Sequence, residues 1–169
     1  MNRSLLLTFA AAMSLTACGF HMRGEVVLPT GLQRVYVQIV DPFSPLKRDL
    51  DAALTRGGAK VEAAAGDGIA EIVISAVSLA PVARSVGANA YVNEFSMVYH
   101  VELQINDGAG KVVIPKQVIE QSREYTFDQT QAIGTTAEQD EIKKEMERDM
   151  VQAVLRKVAA AAKVDAAKS

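Results

Sequence analysis

The sequence predicts an α+β fold: two helices packed on one face of a four-stranded mixed β-sheet, in the order β-α-β-β-β-α. Three observations carry that expectation. Tyr91, Phe95, Met97, Tyr99, Val101, Leu103 and Ile105 fall at odd positions. Glu94, Ser96, His100, Glu102 and Gln104 fall at even ones, with Asn93 the one polar exception on the odd face. That is a period-two strand of about fifteen residues, roughly 50 Å long. Near the C-terminus Ile142, Met146, Met150, Val154, Val158 and Ala161 form an apolar stripe, and Lys143, Lys144, Glu145, Glu147, Arg148 and Asp149 form a charged face of alternating sign, the pattern of an amphipathic helix whose polar side is solvated. Between residues 35 and 79 a β-branched run, a helical run and a second β-branched run follow one another, the order of a β-α-β crossover.

Each element has local reasons. Val35 to Val40 is β-branched and apolar, a first strand. Asp41-Pro42-Phe43-Ser44-Pro45 turns the chain. Ser44 suits an N-cap and Pro45 the first helical position. Leu46, Leu50, Ala53 and Leu54 recur at helical spacing and Gly57-Gly58 stops the run, so the first helix spans Pro45 to Arg56. Ile69 to Leu79 is nearly continuous apolar, a central strand. Pro81, Gly87 and Asn89 place a loop over Ala80 to Ala90. After the long strand, Asn106-Asp107-Gly108-Ala109-Gly110 makes a hairpin turn, and Lys111 to Phe127 pairs back. Pro115 lacks an N–H, so it belongs at an edge or a bulge. Asp128 to Gly134 reads as a loop, a Thr136/Gln139 or Thr135/Glu138 capping box opens the last helix, and that helix runs from Ala137 to Lys163. One domain, residues 32–163, followed by a short frayed tail at 164–169, accounts for the order.

The N-terminus carries the strongest functional signal. Arg3 is a short positive region and Leu5 to Ala12 is uncharged and apolar, as a secretory signal requires. The run is too short to span a bilayer. Leu15-Thr16-Ala17-Cys18 resembles the lipobox of bacterial lipoproteins, in which the cysteine is acylated and becomes the first mature residue. Residues 1–17 are therefore expected to be removed, Cys18 to carry the lipid (palmitate-type acylation), and residues 18–31 to form a tether. Two or three acyl chains anchor stably where one does not. Gly19 rather than Asp after the cysteine favours outer-membrane sorting, and the domain is expected to face the periplasm.

Cys18 is the sole cysteine, so no internal disulfide forms and burial alone must hold the fold. A formal net charge of −2 argues against broad nucleic-acid binding. No catalytic, metal or cofactor constellation emerges. His21 lies in the tether without companions, and His100 sits among Glu94 and Glu102 on the polar side of a strand, where a solvated histidine is the plainer reading. Asp67 between two glycines has no base at a recognised spacing, and Gly108-Ala109-Gly110 lacks the strand-to-helix context of a phosphate loop. The chain is read as not an enzyme.

Cys18-Gly19-Phe20-His21-Met22-Arg23-Gly24 resembles the mature start of the LptE family of lipopolysaccharide-assembly lipoproteins, typically Cys-Gly-Phe-His-Leu-Arg-Gly. The likeness continues at Leu28-Pro29, at Tyr91 through Met97, and from Glu138-Gln139-Asp140 through Lys144-Glu145-Met146. It implies a non-enzymatic lipoprotein that plugs and scaffolds the outer-membrane β-barrel LptD, takes part in moving lipopolysaccharide to the outer leaflet, and binds lipopolysaccharide itself. The alternative is a free-standing periplasmic lipid-binding or delivery lipoprotein, which a hydrophobic cavity between sheet and helices would favour. The strand order puts Asp41–Pro45, Ala80–Ala90 and Asp128–Thr136 at the end far from the tether. Arg84 lies there, the one cation between Lys60 and Lys111, with Arg123 nearby on the fourth strand. These two are the candidate ligand contacts. At the positions matching the family's basic contacts this chain carries Tyr91 and Thr135.

Overall fold

The computed structural model describes residues 33–86, 92–126 and 132–166. The signal, Cys18 and the tether lie outside the described residues. The chain runs β1 (Arg34–Ile39), α1 (Pro45–Arg56), β2 (Lys60–Val61), β3 (Ala70–Val86), β4 (Val92–Asn106), β5 (Val112–Thr126) and α2 (Ala132–Ala166). The architecture is the expected α+β one, with a mixed sheet in the order β2-β1-β3-β4-β5.

The sheet has five strands, not four. The extra strand, β2, is two residues long and lies parallel to β1. Gly58 takes φ +89° and delivers the chain to that edge, where the Lys60 N–H donates to Gln33 O at 2.7 Å and the Glu62 N–H to Val35 O at 2.8 Å. Two residues carry no readable period, so β2 left no signal in the sequence.

α1 forms as its caps dictate. Ser44 Oγ accepts the Lys47 N–H at 3.3 Å, and Pro45 opens the helix. Leu46, Leu50, Ala53 and Leu54 are buried. β1 and β3 pair in parallel from Val35↔Ala70 to Ile39↔Ile74, the β-α-β crossover read from the sequence.

β3 runs on to Val86, so Ala80 to Val86 is strand where a loop was expected. Pro81 is tolerated because β1 has ended: at that level β4 is the only described neighbour of β3, with Pro81 opposite Met97. Residues 87–90 of the expected loop lie outside the described residues. A register shift at Ser75 also changes which residues face inward. Ile72 and Ile74 point into the core before it, and Val77 and Leu79 stand opposite Val101 and Tyr99 after it.

β4 and β5 form the long hairpin. Asp107 closes it, its carboxylate accepting the Ala109 and Lys111 N–H groups at 2.9 and 2.8 Å. Pro115 falls on the edge strand and within an irregularity between Leu103↔Gln117 and Ile105↔Ile114, so both of its allowed settings are met at once.

α2 begins at Ala132. The proposed capping-box residues Thr135, Thr136, Glu138 and Gln139 therefore lie inside the helix rather than at its start. Residues 127–131 lie outside the described residues. At 35 residues α2 is about 52 Å long, the length of the β4–β5 hairpin. Met146, Met150, Val154, Val158 and Ala161 are buried on it as the stripe predicts, and so is a second row, Val151 and Leu155. A helix that packs on both a sheet and another helix needs two rows, and α1 is that other helix. Buried side chains of both helices form one cluster with Val35, Val37, Ile72, Ile74, Met97, Tyr99, Val101, Leu103 and Ile105. No described helix is long and apolar enough to cross a membrane.

Candidate functional site at the far end of the sheet

β3, β4 and β5 extend beyond β1 and carry the candidate site at their far end. β4 enters there and β5 leaves there, with Phe95 opposite Tyr125 and Glu94 opposite Thr126. β3 bulges at the same level: Ala83 pairs with Phe95 and Ser85 with Glu94, so Arg84 has no cross-strand partner residue. A bulge re-aims the extra side chain, and here that residue is Arg84. A cleft of about 470 Å³ is lined by Arg84, Glu94, Phe95, Glu124, Tyr125 and Thr126. The Phe95 and Tyr125 rings stack with centroids 5.6 Å apart and planes 15° from parallel. Burial pushes the Tyr125 hydroxyl above its ordinary value.

The structure does not bring the two candidate arginines into one site. Arg84 lines the cleft. Arg123 stands on β5 opposite Met97 and gives its guanidinium to Asp149 of α2 at 2.9 Å, joining helix to sheet. The Phe95–Tyr125 pair and Glu124 were not anticipated. Their meeting depends on the β4–β5 register, which the irregularities near Pro115 set and a sequence does not state.

The sheet face away from the helices is polar. His100 Nδ1 lies 3.5 Å from Glu120. Glu102 accepts from Ser75 at 2.9 Å and pairs with Lys116, and Lys116 first, then Ser75, holds its carboxyl below the ordinary range. A second cleft, about 330 Å³, lies between the helices and is lined by Asp49, Ala52, Arg56, Arg148, Asp149, Val151 and Gln152. Among the described residues no three metal-binding side chains converge. The far-end cleft is lined by one cation, Arg84, two carboxylates, Glu94 and Glu124, and an aromatic wall.

The sequence profile of the family described as LptE, lipopolysaccharide-assembly, matches residues 32–158. The chain belongs to the LptE family. An LptE lipoprotein of Yersinia pestis (strain Pestoides F), called an LPS-assembly lipoprotein, is 28% identical over 159 residues, covering 93% of this chain and 76% of its own length. That of Yersinia pseudotuberculosis (serotype O:1b) shows the same figures. The solution structure of lipoprotein B from Nitrosomonas europaea superposes with a TM-score of 0.71 at 30% identity, over 84% of this chain and 91% of that one. The rare lipoprotein B of Shewanella oneidensis shares the fold, with a TM-score of 0.65 at 22% identity over 75% of this chain and 94% of that one. The match to the LptE profile covers α1, all five strands and α2 as far as Val158.

Proposed function

We propose that this protein is an outer-membrane lipoprotein, anchored through acylated Cys18 after loss of residues 1–17, whose domain plugs and scaffolds an LptD-type β-barrel and binds lipopolysaccharide during its transport to the outer leaflet. The observation that carries the reading is the LptE-family match over residues 32–158, most of the folded domain. The physical features agree with it. A barrel lumen is polar, and the sheet face away from the helices presents His100, Glu102, Lys116 and Glu120 to whatever surrounds it. The site chemistry described above is that of binding rather than catalysis.

Arg84 is the main cation for the ligand's phosphates under this reading. A charged hydrogen bond of this kind contributes about 1.5–3 kcal/mol. Arg123 is secondary, because using it requires giving up Asp149. Titration of purified domain with lipopolysaccharide decides the point. Arg84→Glu is expected to weaken binding about tenfold or more, and Lys111→Glu, at the opposite end, far less. Equal losses would mean diffuse electrostatics and no far-end site. Co-purification of an outer-membrane barrel with the intact lipoprotein tests the partner; its absence would leave the plug reading without support.

A further inference from the structure

On the sheet face away from the helices, most carboxylates have a partner. Glu71 accepts from Asn106 at 3.1 Å, Glu102 pairs with Lys116, and Glu120 lies 3.5 Å from His100. Glu124 breaks the pattern. Its side chain makes no ion pair or hydrogen bond among the described residues, and neither does that of Arg84. The two groups are opposite in sign and line one cleft. They stay apart because β4 lies between their strands, and two strand spacings set the backbones of β3 and β5 about 10 Å from each other.

Glu94 stands on β4 between them, so the cleft sets one cation against two carboxylates. Ser96 shares the face of Glu94 and lies directly opposite Glu124. It is fully buried, and its hydroxyl has no hydrogen-bond partner. A buried hydroxyl left unpaired costs free energy, so this face holds polar capacity that the domain itself does not use. A phosphate alone suits the cleft poorly: Arg84 attracts it, and Glu94 and Glu124 repel it. An amine alone satisfies the carboxylates and leaves Arg84 unpaired. A group that carries both charges meets all three. In phosphoethanolamine the phosphate and the ammonium are joined by two carbons. With a charge-assisted hydrogen bond at each end, such a group spans from β3 to β5.

We propose that the far-end cleft selects a phosphate ester that bears a primary amine, with the phosphate on Arg84 and the ammonium on Glu124 and Glu94. The proposal rests on the reading of this cleft as a ligand site and adds the class of ligand it prefers, amine-substituted phosphates over bare ones. That group can be a substituent on lipopolysaccharide or the headgroup of a phospholipid; the chemistry that the cleft recognises is common to both.

The test titrates the full-length lipoprotein, in one detergent throughout, with two pairs of ligands. One pair is lipopolysaccharide with and without phosphoethanolamine on its phosphates. The other is mixed micelles of phosphatidylethanolamine or of phosphatidylglycerol. Wild type is expected to bind the amine-bearing member about tenfold more tightly, and the pair in which this preference appears names the source. Glu94→Gln combined with Glu124→Gln should remove the preference and, by lifting repulsion, tighten binding of the member without the amine. A merely structural role for the two carboxylates would not produce that gain. Arg84→Gln should weaken both members. Melting temperatures check folding, and Glu124→Gln alone, at an exposed position, is read if the double variant does not fold. A wild-type preference below about twofold in both pairs, or one that survives the Glu→Gln changes, overturns the proposal. Loss of lipopolysaccharide binding in Arg84→Gln would then still leave the ligand site standing. If wild type binds none of the four, the ligand site fails and the proposal fails with it.

Discussion

Individual side chains decide where this domain is fragile. Leu50 and Val154 are fully buried on the two helices, and Leu50→Asp or Val154→Asp would each leave an unpaired carboxylate in the shared core. Each is expected to cost about 3 kcal/mol or more. Lys144 is exposed and lies 3.7 Å from Glu141, so Lys144→Asp should cost under about 1 kcal/mol. Urea melts of the soluble domain check this, and the reverse order would mean that the helix faces are misassigned. Tyr99 supplies a pH effect. Burial pushes its hydroxyl up to about 12, with Glu147 and Asp49 adding to the shift. The folded state therefore holds this proton more tightly than the unfolded state, where the phenol titrates near 10. Its contribution is complete below pH 10 and is lost as pH rises from about 10 towards 12, on the order of 2 kcal/mol. Tyr99→Phe should flatten that alkaline limb in pH-dependent melts. An unchanged limb would assign the loss to other groups.

The elements are joined at a few close points. The Asp107–Lys111 turn packs against the chain entering β3: the Gly68 N–H donates to Gly108 O at 2.9 Å. A Cβ at Gly108 would stand 2.9 Å from Gly68 backbone atoms, so backbone, not a pliable side-chain tip, would have to yield. Gly108→Ala is expected to cost about 1–3 kcal/mol and to speed amide exchange at Gly68. If it is silent, the turn and the β3 entry move independently. At the other end of the hairpin, the Arg123–Asp149 pair links β5 to α2. Both groups are about half exposed, so the pair sets helix orientation more than it adds stability. Pro81 shows how an element's reach depends on its neighbours. A proline that would break a central strand is harmless once β1 has stopped, and β3 therefore extends through Pro81 to Val86.

For the whole molecule, the anchor and the domain are separable in physical terms. Cys18 lies outside the described residues, and the described residues of the packed core fall between Val35 and Ala161. Cys18→Ala should therefore abolish labelling by a radioactive fatty acid in cells, while the separately produced soluble domain keeps its melting temperature. Equal label on wild type and variant would remove the lipidation claim. The domain also has a polarity: β1, β2 and α1 occupy one half of the sheet, while β3, β4 and β5 continue to the far end with α2 packed on β4 and β5. The Arg84 cleft belongs to that extended half.

The sequence by itself determined the α+β class, the order of the two helices and four longer strands, the bounds of α1 and the main buried stripe of each helix, and its resemblance pointed to the family. These follow from local chemistry: the Ser44-Pro45 cap, the period-two run from Tyr91 to Ile105, the apolar stripe from Met146 to Ala161, and the cysteine motif. Only the tertiary structure decided the fifth strand, the length of β3, the start of α2 and the content of the far-end cleft. β2 exists because β1 offers an edge to two residues, and β3 passes through Pro81 because β1 has ended. Arg84 reaches the cleft because a bulge turns it there, while Arg123 is drawn to Asp149 by a helix that approaches from elsewhere in the chain. Each of these depends on what lies beside a residue in space, and strand register and bulges, which set those neighbours, leave no local signature in the chain.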